Sequence, residues 1–197
     1  PDGAPEPAAR WLPLAARARL TAALDERALS LALGAIALDG QPRAINLATA
    51  SLSDSGFSAR LRAQLMQAPR AARQVWLEVP EAAAADHFDL VRELGRQLRP
   101  TGARLGLEHA GERIGRIERL FELGLDYVKL DGAITRDVGR DTHRAGFVTG
   151  VAAMLHSLSV QVIAEGVAQR ADADALWQCG VDAQTGPWVS AQAGSAG

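Results

Sequence analysis

The chain has a single cysteine, Cys179, in 197 residues. That excludes an internal disulfide and a cysteine-rich zinc site, fits a reducing compartment, and makes Cys179 a small apolar filler before Gly180. Long apolar runs are missing as well. None approaches the roughly 20 residues that cross a bilayer, and the opening Pro1-Asp2-Gly3-Ala4-Pro5-Glu6-Pro7 has neither the charge nor the apolar core of a signal peptide. The segment is therefore expected to be soluble. A basic excess is also lacking: net charge is −2 and the cationic residues are spread along the chain. No stripe exists to track a phosphate backbone, so a nucleic-acid polymer is not an expected partner. There is no repeat and no low-complexity block between two halves. No Gly-x-Gly-x-x-Gly follows the first apolar run, which weakens a dinucleotide-binding reading.

What is present is an ordinary globular composition, 48% hydrophobic, with alternating strand and helix patterns. The spacing predicts short strands at Ala44–Leu47, Gln74–Pro80, Arg104–Leu107, Leu125–Leu130, Val160–Ala164 and Val181–Ala183. Helical stripes separate them. Leu20, Leu24, Ala28 and Leu31 form the first; Phe57, Leu61 and Leu65 the second; Phe88, Val91, Leu94 and Leu98 the third. Ile114, Ile117 and Leu120 or Phe121 predict another helix, and Phe147, Val151, Leu155 and Leu158 one more, before a last helix through Leu176 and Trp177. Six strands alternating with helices are the signature of βα units around a parallel sheet. A (β/α) barrel is the leading architecture and a doubly wound open sheet the alternative. The barrel is expected to span residues 1–190 as one domain, with 191–197 a flexible tail. Opening in a Pro/Gly-rich loop, the chain reads as a piece of a longer protein.

The stretch Leu125-Asp126-Tyr127-Val128-Lys129-Leu130-Asp131-Gly132 places a cation and a carboxylate on one face of a strand, since side chains at i and i+2 point the same way. Taken alone, the pair reads equally as a surface salt bridge. The other strand ends carry similar chemistry: Asn46, Glu78, Glu108 with His109, and Glu165. In a parallel barrel these positions converge on one mouth. Carboxylates in that number suit a hard divalent cation, and a lysine beside them suits a phosphate or a metal-bound water. Arg113 and Arg116 could reach a phosphate from the loop after Glu108, or stand solvated there.

Asn46 in Ile-Asn-Leu, Glu78 in Leu-Glu-Val-Pro-Glu, Asp126 to Asp131, and Ile163-Ala164-Glu165-Gly166-Val167 resemble, in order and spacing, the signature blocks of EAL domains, the cyclic-di-GMP phosphodiesterase family. The resemblance implies a (β/α) barrel whose active members use two divalent cations, magnesium or manganese, to open cyclic di-GMP to the linear dinucleotide. It places Asn46, Glu78, Asp131 and Glu165 in the metal site and gives Lys129 the attacking water. The chain departs from the active pattern where the family has a metal-binding Asp-Asp pair, here Glu108-His109. A longer carboxylate and a neutral imidazole replace two short oxygen ligands. The second glutamate after Glu165 is Ala168, the Gln-Gly-Tyr block reads Gln184-Thr185-Gly186, and the Glu-Ala-Leu strand is expected ahead of Pro1, which leaves the barrel incomplete.

Glu108-His109-Ala110-Gly111 and Thr185-Gly186-Pro187 look like the degenerate branch of LapD-type receptors. That likeness implies a catalytically inactive cyclic-di-GMP receptor domain, with the ligand on Asn46, Glu78, Lys129, Asp131 and Glu165 and no metal cofactor. It also implies a GGDEF-like domain in the same protein, a homodimer, and a cytoplasmic position in a bacterial inner-membrane protein that relays binding to an output partner. Two other readings stand beside it. One is a phosphodiesterase still using Mg or Mn, and the other is an interaction or dimerisation module that has lost the ligand.

Overall fold

The computed structural model describes residues 7–111, 113–116 and 119–194. Six strands run through them: β1 (Arg43–Asn46), β2 (Val75–Pro80), β3 (Arg104–Ala110), β4 (Tyr127–Leu130), β5 (Gln161–Ala164) and β6 (Ala183–Gln184). Every neighbouring pair is parallel, and the order across the sheet is the order in the chain. A doubly wound sheet reverses its strand order at a switch point, and this one has no reversal. Each crossover lays the next strand beside the last in one direction across the sheet, which builds an incomplete (β/α) barrel and rules out the open-sheet alternative.

Two helices, α1 (Ala8–Arg17) and α2 (Thr21–Asp39), precede β1. Between β1 and β2 lie α3 (Thr49–Leu52), α4 (Phe57–Gln67) and α5 (Pro69–Ala72), and between β2 and β3 lie α6 (Glu81–Asp86) and α7 (Phe88–Leu98). The later connections carry α8 (Gly132–Thr135), α9 (Thr142–Ser157), α10 (Arg170–Gln178) and α11 (Pro187–Gly194). Leu77, Val79, Leu105, Leu107, Val128, Leu130, Val162 and Ala164 point from the strands to these helices and are no more than 1% exposed. They share one core with Leu61, Leu65, Val91, Leu94, Val151 and Leu155. Each valine or leucine among them contributes about 1.5–3 kcal/mol over leaving it in water. The alternate positions Glu78, Glu108 and Lys129 face the barrel interior. Parallel strands buried on both faces read as unbroken apolar runs; the alternation in this chain is the trace of a polar inner face.

The structure corrects several helical expectations. Helix α2 buries Ala22, Asp25, Leu29, Leu33 and Ile36, leaving Leu20, Leu24 and Leu31 exposed. The helix is apolar nearly all round, and its rotation is set by a polar contact: Asp25 Oδ2 accepts the Ala48 N–H at 2.9 Å. In α9 the inward residue is Val148, and Phe147 is exposed. Two short 3₁₀ turns, Ile114–Arg116 and Leu120–Leu123, stand where one helix was expected between β3 and β4; Ile117 lies outside the described residues. Arg119 (φ 60°) and Gly124 (φ 68°) take left-handed backbone on either side of the second turn, which confines it to one short stretch. Helix α11 continues through Gly194, so 191–194 are helical where a tail was expected, because Pro187 opens the helix and Ala and Gln sustain it. Residues 195–197 lie outside the described residues.

Candidate functional site

Glu78 on β2, Gly106 on β3 and Tyr127 on β4 are in register and so occupy one layer of the inner face. Gly106 contributes no side chain to that layer, and the Tyr127 ring fills the space: a Cβ on Gly106 would come within 2.3 Å of the ring. The ring also packs on Trp76, with centroids 4.7 Å apart. Reaching across β3, the phenol donates to Glu78 Oε1 at 2.9 Å. Lys129 Nζ lies 2.7 Å from Oε1 and 2.8 Å from Oε2 of the same carboxylate, and 3.5 Å from Glu165 Oε1. The chain contains one tyrosine and one lysine. Both end on Glu78, which is 2% exposed.

A second cluster sits above this layer. The β3–β4 register breaks between Leu107 and Ala110, and His109 in that break has φ 50°, a left-handed conformation uncommon for a side-chain-bearing residue. Bulges of this kind re-aim side chains at strand ends. His109 Nδ1 lies 2.9 Å from Asp131 Oδ2 and 4.0 Å from Glu165 Oε2, while its Nε2 is 3.9 Å from Glu108 Oε2. Asp131 caps α8, its Oδ1 accepting the Ala133 N–H at 2.7 Å. Glu165 is tied at its backbone, where the carbonyl accepts from Thr135 Oγ1 at 2.8 Å. Its Oε2 is buried with no hydrogen-bond partner.

The charges tune one another. Burial raises the Glu108 carboxyl above its ordinary range, the charges of Glu78 and Glu165 add to this, and His109 and Lys129 oppose it. Burial works to lower His109, but the hydrogen bond to Asp131 and the charges of Glu108, Glu165 and Asp131 carry it above an ordinary histidine. Lys129 behaves alike: burial lowers it, and Glu78 and Glu165 more than restore it. The Ala133 N–H first, and then His109, hold Asp131 below its usual value. Burial and then the Glu78 charge push the Tyr127 phenol far up.

Six of the expected site residues, Glu78, Glu108, His109, Lys129, Asp131 and Glu165, therefore meet in one network. Asn46 ends β1 in register with Glu78 but is exposed and outside the network. Arg113 is paired with Asp86 at 2.5 Å, and the Arg116 side chain lies outside the description. Two residues were missed. Tyr127 was legible as a same-face neighbour of Lys129 at i−2. Glu81, which is buried and accepts the Gly111 N–H at 3.0 Å, closes the Leu-Glu-Val-Pro-Glu run and ties the start of α6 to the end of β3.

As arranged, the donors do not fit a pair of divalent cations. Both oxygens of Glu78 are taken by Lys129 and Tyr127, and both of Asp131 by Ala133 and His109. Among the described residues no three His, Cys, Asp or Glu side chains converge as a metal site. An ammonium and an imidazole stand between the carboxylates instead.

The model of the EAL domain family matches residues 1–192. Among curated proteins the chain is 24% identical over 143 residues to the cyclic di-GMP phosphodiesterase PdeR of Escherichia coli, covering 73% of this chain and 22% of that protein. The chain thus spans less than a quarter of the length of that relative. The Vibrio cholerae LapD S helix-GGDEF-EAL structure, bound to c-di-GMP, superposes with a TM-score of 0.86 at 21% identity, over 96% of this chain and 47% of that one. The manganese/cy-diGMP complex of Klebsiella pneumoniae BlrP1 superposes at 0.71 with 27% identity, over 85% and 43%.

Proposed function

Because this chain belongs to the EAL domain family, we propose that it is a receptor domain that binds cyclic di-GMP and does not cleave it. The observation that carries this reading is the position of His109, which stands where the family resemblance expects the second aspartate of the metal-binding pair and whose ring lies against Asp131, Glu165 and Glu108; Lys129, the residue the resemblance gives to the attacking water, bridges Glu78 and Glu165. Without a metal to lower the pKa of a bound water there is no strong nucleophile at neutral pH, while a mouth holding an ammonium and polar side chains still accepts a phosphate. Asn46, Glu78, Lys129, Asp131 and Glu165 line the ligand, and Glu108 and His109 stand at the altered metal positions. The S helix-GGDEF-EAL arrangement of the LapD neighbour supports a wider reading in which this domain follows a GGDEF-like domain, and the resemblance to LapD-type receptors extends that reading to a homodimeric, membrane-anchored protein that passes ligand binding to an output partner.

The test is calorimetric binding of cyclic di-GMP alongside a chromatographic assay for the linear dinucleotide in excess Mn²⁺. Binding with no turnover is the expected result, and sustained turnover overturns it. Glu165 Oε2, which makes no hydrogen bond, and the retained Glu108 carboxylate favour a second reading, a residual Mg- or Mn-dependent phosphodiesterase, because both are oxygen donors held only by the long contacts to His109. The same assay separates the two.

A further inference from the structure

Glu78 carries two of the chain's rarest side chains, and only Lys129 has a place in the proposed binding site. The other is Tyr127, 0% exposed and inside the barrel. Its ring is fixed on three sides: by Trp76 at 4.7 Å, by the empty place at Gly106, and by the hydrogen bond from its hydroxyl to Glu78 at 2.9 Å. A buried carboxylate that already accepts from an ammonium has further lone pairs to satisfy, and an oriented hydroxyl fixes the plane of the carboxylate as well as its charge. A phenylalanine would fill the slot equally well but could not do this.

We propose that Tyr127 is a positioning residue of the dinucleotide site: reaching across the side-chain-less Gly106, its phenol sets the Glu78 carboxylate, and through it Lys129, in the orientation that receives the ligand. This rests on the receptor reading and assigns a role to a residue that lies beneath the mouth. Tyr127 acts on the ligand through Glu78. Its effect therefore vanishes when Glu78 no longer carries a carboxylate, whereas a residue that only supports the fold keeps its effect.

A double-mutant cycle on cyclic di-GMP affinity reads this directly. Tyr127→Phe is expected to weaken binding about tenfold, as for loss of one hydrogen bond to a charged group. Tyr127→Phe in a Glu78→Met background, where no oxygen remains to accept from the phenol, is expected to add less than about twofold. Equal losses in both backgrounds, or no loss in Tyr127→Phe, overturn the proposal. A ligand-free readout keeps the two readings apart. With [4-¹³C]tyrosine the chain gives one Cζ resonance, which is expected to move at fixed pH in Glu78→Gln. An unmoved resonance overturns the proposal whether or not the ligand binds, and also decides it where Tyr127→Phe does not fold. Failure of the wild-type chain to bind cyclic di-GMP while the resonance moves overturns the receptor reading and leaves the Tyr127–Glu78 link standing.

Discussion

Lys129 Nζ lies 2.7 Å from Glu78 Oε1, and the two side chains come from strands separated by a third. Lys129 keeps 15% of its side chain exposed and Glu78 2%, so the pair is close to a buried one. Removing one partner of a buried pair strands the other charge and costs about 3–5 kcal/mol. Lys129→Met is expected to lower stability toward the lower end of that range, because Tyr127 still donates to Glu78. Lys129→Met combined with Glu78→Gln should recover most of the loss. Urea denaturation of the wild type and the two variants measures both, and equal losses in the single and double variants would show that the stranded charge is not the cause.

His109 and Asp131 give the site its pH dependence. The folded value of His109 is raised, so its contribution is fully present below the ordinary histidine value and is lost as pH rises through the higher folded one. The folded value of Asp131 is lowered, so its contribution is present above the ordinary aspartate value and is lost as pH falls through the lower one. Relative to His109→Asn, the wild type should therefore lose part of its thermal advantage as pH rises above the ordinary histidine value. Asparagine tolerates the left-handed backbone of position 109, which keeps strain out of the comparison. The imidazole is largely exposed, so the effect is small. Parallel melting curves for the two proteins across that rise in pH would contradict it.

Sequence pattern located all six strands to within a few residues, because each is a short apolar run bounded by turn or cap residues, and in β2 and β4 the alternation also marks the polar residue that faces inward. It marked the strand-end cluster for the same reason: Glu78, Lys129 and Glu165 are polar residues where apolar strands stop. What it did not reach was rotation and cross-strand reach. Helix α2 is leucine- and alanine-rich on every side, so nothing in its periodicity revealed that Asp25 faces inward. The bulge that swings His109 onto Asp131 depends on how β3 meets β4, a relation between strands that neither strand encodes alone. Tyr127 is similar, since its partner Glu78 lies two strands away and the path between them exists because position 106 is glycine.

Two glycines in different settings should respond oppositely to alanine. A Cβ on Gly106 would meet the Tyr127 ring at 2.3 Å, a ring already held by Trp76 and Glu78, so it cannot simply turn aside. Gly106→Ala is expected to cost about 1–3 kcal/mol or more through overpacking. Gly34 lies on the exposed side of α2 with nothing within 4 Å of an added Cβ. Gly34→Ala should stabilise by about 0.5–1 kcal/mol through helix propensity. Denaturant midpoints give both signs in one experiment, and a stabilising Gly106→Ala would contradict the packing of Tyr127.

Asp172 is a separate structural lock near the site. Its carboxylate is buried on α10 and accepts the N–H groups of Asp137 at 3.2 Å and Gly139 at 3.0 Å, holding the segment between α8 and α9. Asp172→Ala leaves those donors without their acceptor and is expected to cost about 1–3 kcal/mol. The same change should raise hydrogen exchange at Asp137 and Gly139 above that of the β4 and β5 amides, since a local contact opens locally. Uniform acceleration throughout the chain would show a global loss instead.

If Lys129 and His109 are the cations of this site, cyclic di-GMP affinity should be the same within about twofold in excess chelator and in millimolar Mn²⁺, because a ligand that displaces nothing shifts no equilibrium. A hydrolytic site would behave differently, gaining affinity or turnover as its carboxylates filled. The effect of restoring the short carboxylates follows from the same geometry. In Glu108→Asp combined with His109→Asp, the imidazole is gone from beside Asp131 and three carboxylates, at 109, Asp131 and Glu165, face one another around the position it held. Manganese electron paramagnetic resonance should then report binding that the wild type lacks. Equal Mn²⁺ binding by the two proteins would mean that His109 does not close the metal position, and the receptor reading would lose the observation on which it stands.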